Sequence, residues 1–323
     1  MYVRSLAAVL ALCATLGTAT TSHAETYPSR PVTLVVPSSP AGAVDSVARV
    51  FAQYLGQQLG QTVVIDNRAG AGGNIATDLV AKAAHDGYTL LMAASSAQTI
   101  NPSLYSKIPF DPIKDFEPIS VIATAPYALV VNTKLPVNTV PELIALAKKQ
   151  PLYYGSAGNG SLNHLLAEML KNSASIEMTH VPYKAVTAAA ADTVSGQVQV
   201  MFGSLSGVMP LVRSGHLHAI AVATPQRTKL APELPTIGET VPGFQAIAWY
   251  GLMTPAGTPR AVLDRLQAAT AKVLGTKEFS EMLAKQGLEI TTTGTTPQQF
   301  KALIVQDLAM WAKVIKTSGA KVD

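Results

Sequence analysis

Short apolar runs alternate with amphipathic segments along almost the whole chain. Residues 32–36 form an apolar run typical of a buried strand, and residues 44–59 follow with apolar positions spaced along one helical face. A β-branched run at 62–65, a helix-like segment at 75–84 and an apolar run at 89–92 continue the alternation. This succession predicts an α/β fold in which helices flank a mostly parallel sheet.

The apolar run at 119–131 is long for one strand, and we predict that it crosses from one lobe to another. Strand-like and helix-like segments then alternate until the strand-like segment at 249–253, after which the chain is mainly helical. The pattern predicts lobe one from residues 25–124 plus 250–323 and lobe two from residues 125–249. Two crossing strands would act as a hinge around a cleft.

The chain begins like an exported protein. Arg4 precedes a short apolar stretch at 6–16, and a Ser-His-Ala triplet ends at Ala24. This arrangement predicts a signal peptide over residues 1–24, cleaved after Ala24, and a periplasmic location. The only cysteine, Cys13, lies inside it, so the mature chain would have no disulfide, cysteine nucleophile or thiolate metal site.

Charge adds little to this interpretation. The formal net charge is +4, and the basic residues are scattered rather than clustered. Nucleic-acid binding proteins concentrate their basic residues in a patch or stripe, so we predict no nucleic-acid partner. A mildly positive chain is compatible with anionic ligands.

Two loops rich in small residues follow predicted strands and open predicted helices. The first reads PSSPAGAVD at 37–45 and the second reads GSAGNGS at 155–161. Small side chains let a ligand approach the backbone, and the free N–H groups in the first turn of a helix favour an anion. Two such loops predict two lobes that hold one anionic small molecule.

Further motifs follow one another in order. They read YPSRP at 27–31, DNRAGAGGNI at 66–75, DGYTLL at 86–91, INP at 100–102, YGSAGNGSLNH at 154–164, VPYK at 181–184 and WYGLMTPAGTP at 249–259. With the first loop they resemble the receptors of tripartite tricarboxylate transporters, the Bug or TctC family. The resemblance implies a two-lobed type II periplasmic-binding-protein fold and a receptor that delivers a small carboxylate to membrane permease subunits.

The resemblance also nominates residues that would contact the ligand through backbone groups, hydroxyls and bridging waters. In lobe one these are Ser38, Ser39, Ala41 and Gly42 of the first loop, with Ser95, Ser96 and Gln98 after the third strand. In lobe two they are Ser156, Ala157, Asn159, Gly160, Ser161 and His164, with Tyr183, Lys184 and Ser204 completing the wall.

The chain departs from the family pattern at the predicted site. Ser38 and Ser39 stand where an aromatic residue and a proline are usual, Ala41 replaces a glycine, and Gly203 stands where an acid is frequent. A ligand ammonium would need a carboxylate, whereas an anionic ligand would not tolerate one nearby. We therefore predict an organic acid without an amine, dicarboxylates included. The alternative is that Gly203 lies outside the pocket and carries no information.

Other chemistries are weaker interpretations. Ser156 and His164 could form a nucleophile and base of an exported esterase, but the chain has no G-x-S-x-G motif, and we predict no enzyme. The glycines at 70–73 indicate a turn rather than a dinucleotide site, and we predict no cofactor. His216 and His218 have no acidic partner nearby, so we predict no metal. A receptor that reports its ligand to a sensor kinase has the same sequence features, so this alternative stays open.

Overall fold

The computed structural model describes residues 27–291 and 294–322. The predicted signal peptide, residues 1–24, lies outside this part of the chain. In chain order the strands are β1 (Val32–Val36), β2 (Val63–Asn67), β3 (Thr89–Ala94), β4 (Phe116–Ala125), β5 (Tyr127–Asn132), β6 (Tyr153–Ser156), β7 (Thr179–Pro182), β8 (Val200–Ser204), β9 (Leu217–Val222) and β10 (Ala248–Pro255).

Helices follow most of the strands. In chain order they are α1 (Ala43–Leu59), α2 (Asn74–Ala81), α3 (Asn101–Leu104), α4 (Val140–Ala147), α5 (Leu162–Ala174), α6 (Val186–Ser195), α7 (Leu205–Arg213), α8 (Arg260–Leu274), α9 (Lys277–Lys285) and α10 (Pro297–Ser318). Thr296 caps α10, since its hydroxyl accepts from the N–H of Gln299 and Pro297 occupies the first turn.

The two sheets share one plan. Their strand orders are β2-β1-β3-β10-β4 and β7-β6-β8-β5-β9. In the first sheet β10 runs antiparallel to both neighbours, and in the second sheet β5 does so. The predicted two-lobed α/β fold is confirmed, with one refinement: each sheet is mixed. The reversed strand of each sheet is the one on which the chain arrives from the other lobe.

The apolar run at 119–131 contains the first crossing. It divides into β4 and β5 at Pro126, the single residue between them. The carbonyl of Pro126 accepts a hydrogen bond from Leu205 N at 2.9 Å. The second crossing leads into β10, which begins at Ala248. The division at residues 124/125 and 249/250 stays a prediction.

Each sheet packs helices through apolar side chains at helical spacing. In lobe one, Val47, Phe51 and Leu55 of α1 are buried in the same cluster as Leu34 and Leu90 of the sheet. These positions recur every four residues, as one helical face requires. Burying each of these large side chains contributes about 1.5–3 kcal/mol. The apolar pattern that predicted the helix is therefore the pattern that holds it on the sheet.

The last helix serves both lobes. Phe300 near its start belongs to a core cluster of the first sheet. Trp311 and Ile315, further along, belong to the core cluster of the second sheet. Asn172 Nδ2 of α5 also donates to Thr317 Oγ1 at 3.0 Å. The helix thus connects the lobes independently of the crossing strands.

Strand direction brings the two candidate loops to the same cleft. β1, β3 and β4 share a direction, so their carboxyl ends lie at one edge of the first sheet. β5 is antiparallel to β8, so it begins at the edge where β6 and β8 end. Because only Pro126 separates β4 from β5, these two edges adjoin. Ligands of open α/β sheets bind outside such carboxyl ends.

Candidate ligand-binding site

The first loop, residues 37–42, is held in place by a buried acid. Asp45 is 1% exposed, and its carboxylate accepts from Ala41 N and Arg49 Nε, each at 2.8 Å, and from Asn67 Nδ2 at 2.9 Å. Burial acts to raise the pKa of Asp45, but these hydrogen bonds outweigh it and the pKa is lowered. Asn67 Nδ2 also donates to Ser38 O at 3.1 Å. The ionised acid therefore fixes the loop backbone.

Ala41 adopts a left-handed backbone conformation, with φ at 66°. This conformation costs an L-residue roughly 1–2 kcal/mol relative to glycine. The hydrogen bond from Ala41 N to Asp45 holds the strained residue. The loop thus keeps its shape without a glycine at this position.

Lobe one carries buried polar groups that have no hydrogen-bond partner among the described residues. Those at the carboxyl ends of strands are Ser38 Oγ, after β1, and both amide atoms of Gln98, after β3; others, such as Thr254 Oγ1 and Thr270 Oγ1, lie elsewhere in the lobe. Gln98 is 0% exposed. An unpartnered buried polar group costs about 1–3 kcal/mol, and a polar ligand that reaches it removes this penalty. Since β1 and β3 are adjacent parallel strands, both groups lie at the same sheet edge.

The two serines beside Gln98 differ in their surroundings. Ser95 is buried, and its hydroxyl accepts from Trp249 N at 3.3 Å. Trp249 in turn donates its indole N–H to Asp307 at 2.8 Å. Ser96 is exposed. Of the serine side chains predicted after β3, one therefore anchors β10 and the other faces solvent.

The second loop, residues 156–161, satisfies its own polar groups. Ser161 Oγ donates to Gly158 O at 2.6 Å, and Gly158 N donates to Ser156 Oγ at 3.1 Å. Asn163 Oδ1 accepts from Ala157 N at 3.3 Å. The hydroxyls of Ser156 and Ser161, which were predicted to face a ligand, are therefore hydrogen-bonded within the loop. These bonds make the loop rigid.

A stack of three rings supports the second loop. Tyr154 and His180 lie with ring centroids 4.9 Å apart, and His180 and His164 lie 4.1 Å apart. His180 Nε2 lies 2.6 Å from Ser156 Oγ. His164 Nδ1 accepts from Gly160 N at 3.2 Å, which places the proton of neutral His164 on Nε2. The histidines thus hold both ends of the loop.

The stack keeps its histidines neutral. Burial lowers the pKa of His164 to about 4, with a contribution from neighbouring His180, and burial also lowers the pKa of His180. Tyr154 donates its hydroxyl to Glu168 at 2.5 Å, and Lys171 pairs with the same carboxylate at 2.8 Å. Two uncharged imidazoles can stack closely, whereas two imidazolium ions would repel each other.

The structure does not support the geometry of an esterase. Ser156 and His164 are not hydrogen-bonded; the serine pairs with His180 instead. Ser156 is also 0% exposed, so no ester can reach its hydroxyl in this conformation. Nothing in the sequence indicates that His180 supports this loop, because the register that places it beside Tyr154 arises only when β7 pairs with β6.

The remaining candidate residues of lobe two lie around the loop. Asn159 is exposed, and its side chain donates to Lys321 O at 3.3 Å. Tyr183 donates its hydroxyl to Asp192 at 2.7 Å, and burial followed by this bond raises its pKa to about 12. Lys184 is exposed, and Ser204 precedes α7. The hydroxyl proton of Tyr183 is therefore already engaged by a protein acceptor.

Gly203 lies where a side chain has no room. A Cβ at this position would overlap Val208 of α7. The position therefore faces packed side chains, and its lack of an acid carries little weight for ligand choice. The acids around the two loops bear more directly on ligand choice. Asp45, Glu168 and Asp192 already accept hydrogen bonds from the protein.

Both helices that follow the loops begin without a side-chain cap. Gly42, which precedes α1, has no side chain that could cap the helix. Ser161 precedes α5, and its side chain makes no hydrogen bond to the first turn. The first-turn N–H groups of a helix have no intrahelical acceptor and favour negative charge. In α1 the ionised Asp45 already lies in this first turn, whereas the first turn of α5 contains no acid.

Neither a metal-binding cluster nor a membrane-spanning helix occurs within residues 27–291 and 294–322. No group of three or more His, Asp or Glu side chains in these ranges is arranged to hold a metal ion. None of the helices described there combines the length and apolar character needed to cross a bilayer.

The fold and the facing loops define a two-lobed periplasmic binding protein of type II. The model of the tripartite tricarboxylate transporter family receptors, TctC, matches residues 47–320. The chain therefore belongs to this family, as its motifs predicted. The family consists of periplasmic solute-binding receptors.

Relatives extend over the whole chain. Protein BugT of Bordetella pertussis is 39% identical over 324 residues, covering 98% of each chain. The R. palustris protein Rpa4515, solved with adipate, is 37% identical with a TM-score of 0.76 and covers 92% of this chain and 100% of its own. MatC from Rhodopseudomonas palustris, with bound malate, is 29% identical with a TM-score of 0.70, covering 90% and 100%.

Proposed function

We propose that this protein captures a small organic carboxylate without an amine, dicarboxylates included, between its lobes. It then delivers the ligand to the membrane subunits of a tripartite tricarboxylate-type transporter. The observation that carries the proposal is the pair of unpartnered polar groups at the cleft edge of lobe one, Ser38 Oγ and the Gln98 amide. The adipate and malate bound by two relatives are small dicarboxylates, in agreement with this ligand class.

Capture requires no bond to be made or broken. One carboxylate would accept from lobe one, where the hydroxyl of Ser38 and the amide NH₂ of Gln98 are donors without acceptors. The other end would meet the stiff second loop and the N-terminus of α5. Closure of the lobes removes the ligand from water, which strengthens these hydrogen bonds.

An amine on the ligand is disfavoured by the charges at the site. The acids nearest the loops, Asp45 and Asp192, are engaged by protein donors, and Glu168 binds Lys171 and Tyr154. Two of these acids are paired with cations and Asp192 is only half-buried, so a buried ammonium would have to compete for a carboxylate, and an unpaired buried charge is strongly unfavourable.

Matched ligand pairs test the proposal. Aspartate carries an ammonium group where malate carries a hydroxyl, and glutamate carries one where glutarate carries a hydrogen. At a hundred times its dissociation constant a ligand raises the free energy of unfolding by about 2.7 kcal/mol, which corresponds to about 5 °C in melting temperature. We expect this shift with at least one of malate, adipate and glutarate, and none with aspartate or glutamate.

Two results would contradict the proposal. Stabilisation by the amino acids alone would refute the exclusion of an amine. Stabilisation by sugars or metal ions but by no organic acid would refute the anion site itself.

The location is tested separately. We propose that export is followed by cleavage after Ala24, so that the mature chain begins at Glu25. The intact mass of the protein recovered from the periplasm should match residues 25–323. A mass that includes the first 24 residues would contradict this.

A further inference from the structure

A cavity lies beside the two crossing segments, apart from the candidate loops. Its volume is about 250 Å³. Val121 and Thr124 of β4 form one side, the segment leading into β10 forms another, and α10 closes the third with Leu303 and Met310. The walls are mainly apolar, and the cavity is smaller than the pockets of drug-sized ligands.

Asp307 of α10 lines this cavity and is 8% exposed. One carboxylate oxygen accepts from the indole N–H of Trp249 at 2.8 Å. Among the described residues no lysine, arginine or histidine forms an ion pair with it. Burial raises the pKa of Asp307 to about 6, against the effect of the Trp249 bond, so the acid is mostly ionised at neutral pH.

A buried carboxylate without a cation is unfavourable. A ligand that supplies the cation would remove this penalty, and the free energy recovered would favour its binding. Gln245 and Gln306 also line the cavity and are exposed, so they mark its solvent side. The cavity therefore combines one negative group, neutral amides at the opening and apolar walls. This combination fits a short alkyl chain that ends in an ammonium group.

We propose that this cavity is a second ligand site, which takes a small primary alkylammonium ion. Its nitrogen donates to Asp307, and its carbon chain packs against Leu303 and Met310. The cleft, in contrast, takes acids. An occupant of this cavity touches both crossing segments, and Trp249 connects Asp307 to Ser95 beside the cleft.

The test uses n-butylammonium chloride with the mature protein at pH 7.5. The protein has two tryptophans, Trp249 and Trp311, so its ¹H–¹⁵N spectrum contains two indole signals, which W311F assigns. We expect a saturable shift of the Trp249 signal with butylammonium. Butanol, the uncharged match, should bind at least about tenfold more weakly, because it lacks the charge-assisted hydrogen bond.

Asp307→Asn is the matched variant, since its amide oxygen can still accept from the Trp249 indole. It should retain the Trp249 signal and lose the response to butylammonium. Gln57→Met, a change at an exposed position of α1 outside both sites, should leave the response intact. A butylammonium response equal to that of butanol, an unsaturable response, or an unchanged response in D307N would overturn the proposal.

Discussion

The first and second loops occupy equivalent places in sheets of the same strand order, yet they are built in opposite ways. In the first loop Ser38 keeps an unpartnered hydroxyl, and the Gln98 amide at the same sheet edge is also unpartnered. In the second loop Ser156 and Ser161 are hydrogen-bonded to the loop itself, and His180 supports it. Lobe one therefore holds hydrogen-bonding capacity for a ligand, and lobe two provides a rigid surface.

Because of this difference, the two loops should contribute differently to the stability of the free protein and to ligand binding. Removing an unpartnered polar group of lobe one relieves a penalty in the free protein and removes a contact with the ligand. Removing a support of the second loop breaks bonds of the free protein and only then disturbs the ligand. Substitutions in the two lobes should therefore move the free energy of unfolding in opposite directions, while both weaken carboxylate binding.

We expect the largest change in the free energy of unfolding when acid protonates the ring stack of lobe two. The unfolded state protonates His164 near pH 6.5, but the folded state resists protonation until about pH 4. The unfolded state thus binds more protons in this window, and the free energy of unfolding falls as the pH is lowered through it. For His164 alone the loss is on the order of 3 kcal/mol.

The control is His164→Asn, whose side-chain oxygen can still accept from Gly160 N. Asp45 and other hydrogen-bonded carboxylates also lose stability in acid, so the difference between the two proteins is the measured quantity. Urea unfolding between pH 8 and pH 4 should show a shallower decline for the variant. Equal declines would show that the stack does not hold His164 neutral. The charged groups that face His164 are Glu168 and Lys171.

Removal of the support at His180 comes next. His180→Ala loses the bond to Ser156 Oγ and the ring contacts with Tyr154 and His164. We expect the free energy of unfolding to fall by about 2 kcal/mol, measured by urea unfolding at pH 8. Carboxylate affinity should fall with it, because the loop is no longer held. Reduced affinity at unchanged stability would mean that His180 contacts the ligand rather than the loop.

The complementary change in lobe one is Gln98→Met, which keeps the size of the side chain and removes its polar atoms. The free energy of unfolding should stay constant or rise by up to about 1–2 kcal/mol. Carboxylate affinity, measured calorimetrically, should fall about tenfold. Gln57→Met makes the same chemical change at an exposed position of α1 and should alter neither quantity. A marked loss of stability in Q98M would show that its amide has protein partners.

The smallest effect concerns the strained residue of the first loop. Ala41→Gly removes the penalty of the positive φ but gives the unfolded chain more freedom. The net gain in the free energy of unfolding should be about 0.5–1 kcal/mol, seen as a higher urea midpoint at equal slope. A loss of stability would mean that the bond between Ala41 N and Asp45 does not hold this backbone conformation in solution.

Much of the fold could be predicted from local patterns. The apolar run at 32–36 predicted β1 with its bounds, and the apolar spacing at 44–59 predicted α1, which begins one residue earlier at Ala43. The reversal of β5 and β10 was not predicted, because strand direction depends on which edge the chain crosses and leaves no periodicity in the sequence. The packing of α10 on both lobes was missed for the same reason.

The sequence by itself determined the α/β alternation, the family and the positions of two small-residue loops. These depend on residue spacing, local backbone preference and motifs that can be read along the chain. Only the tertiary structure decided the role of each polar group. Neighbours across strands turn Ser156 inward to His180 and leave Ser38 without a partner. A hydrogen bond depends on distance in space, and residues 156 and 180 come together only when β6 pairs with β7.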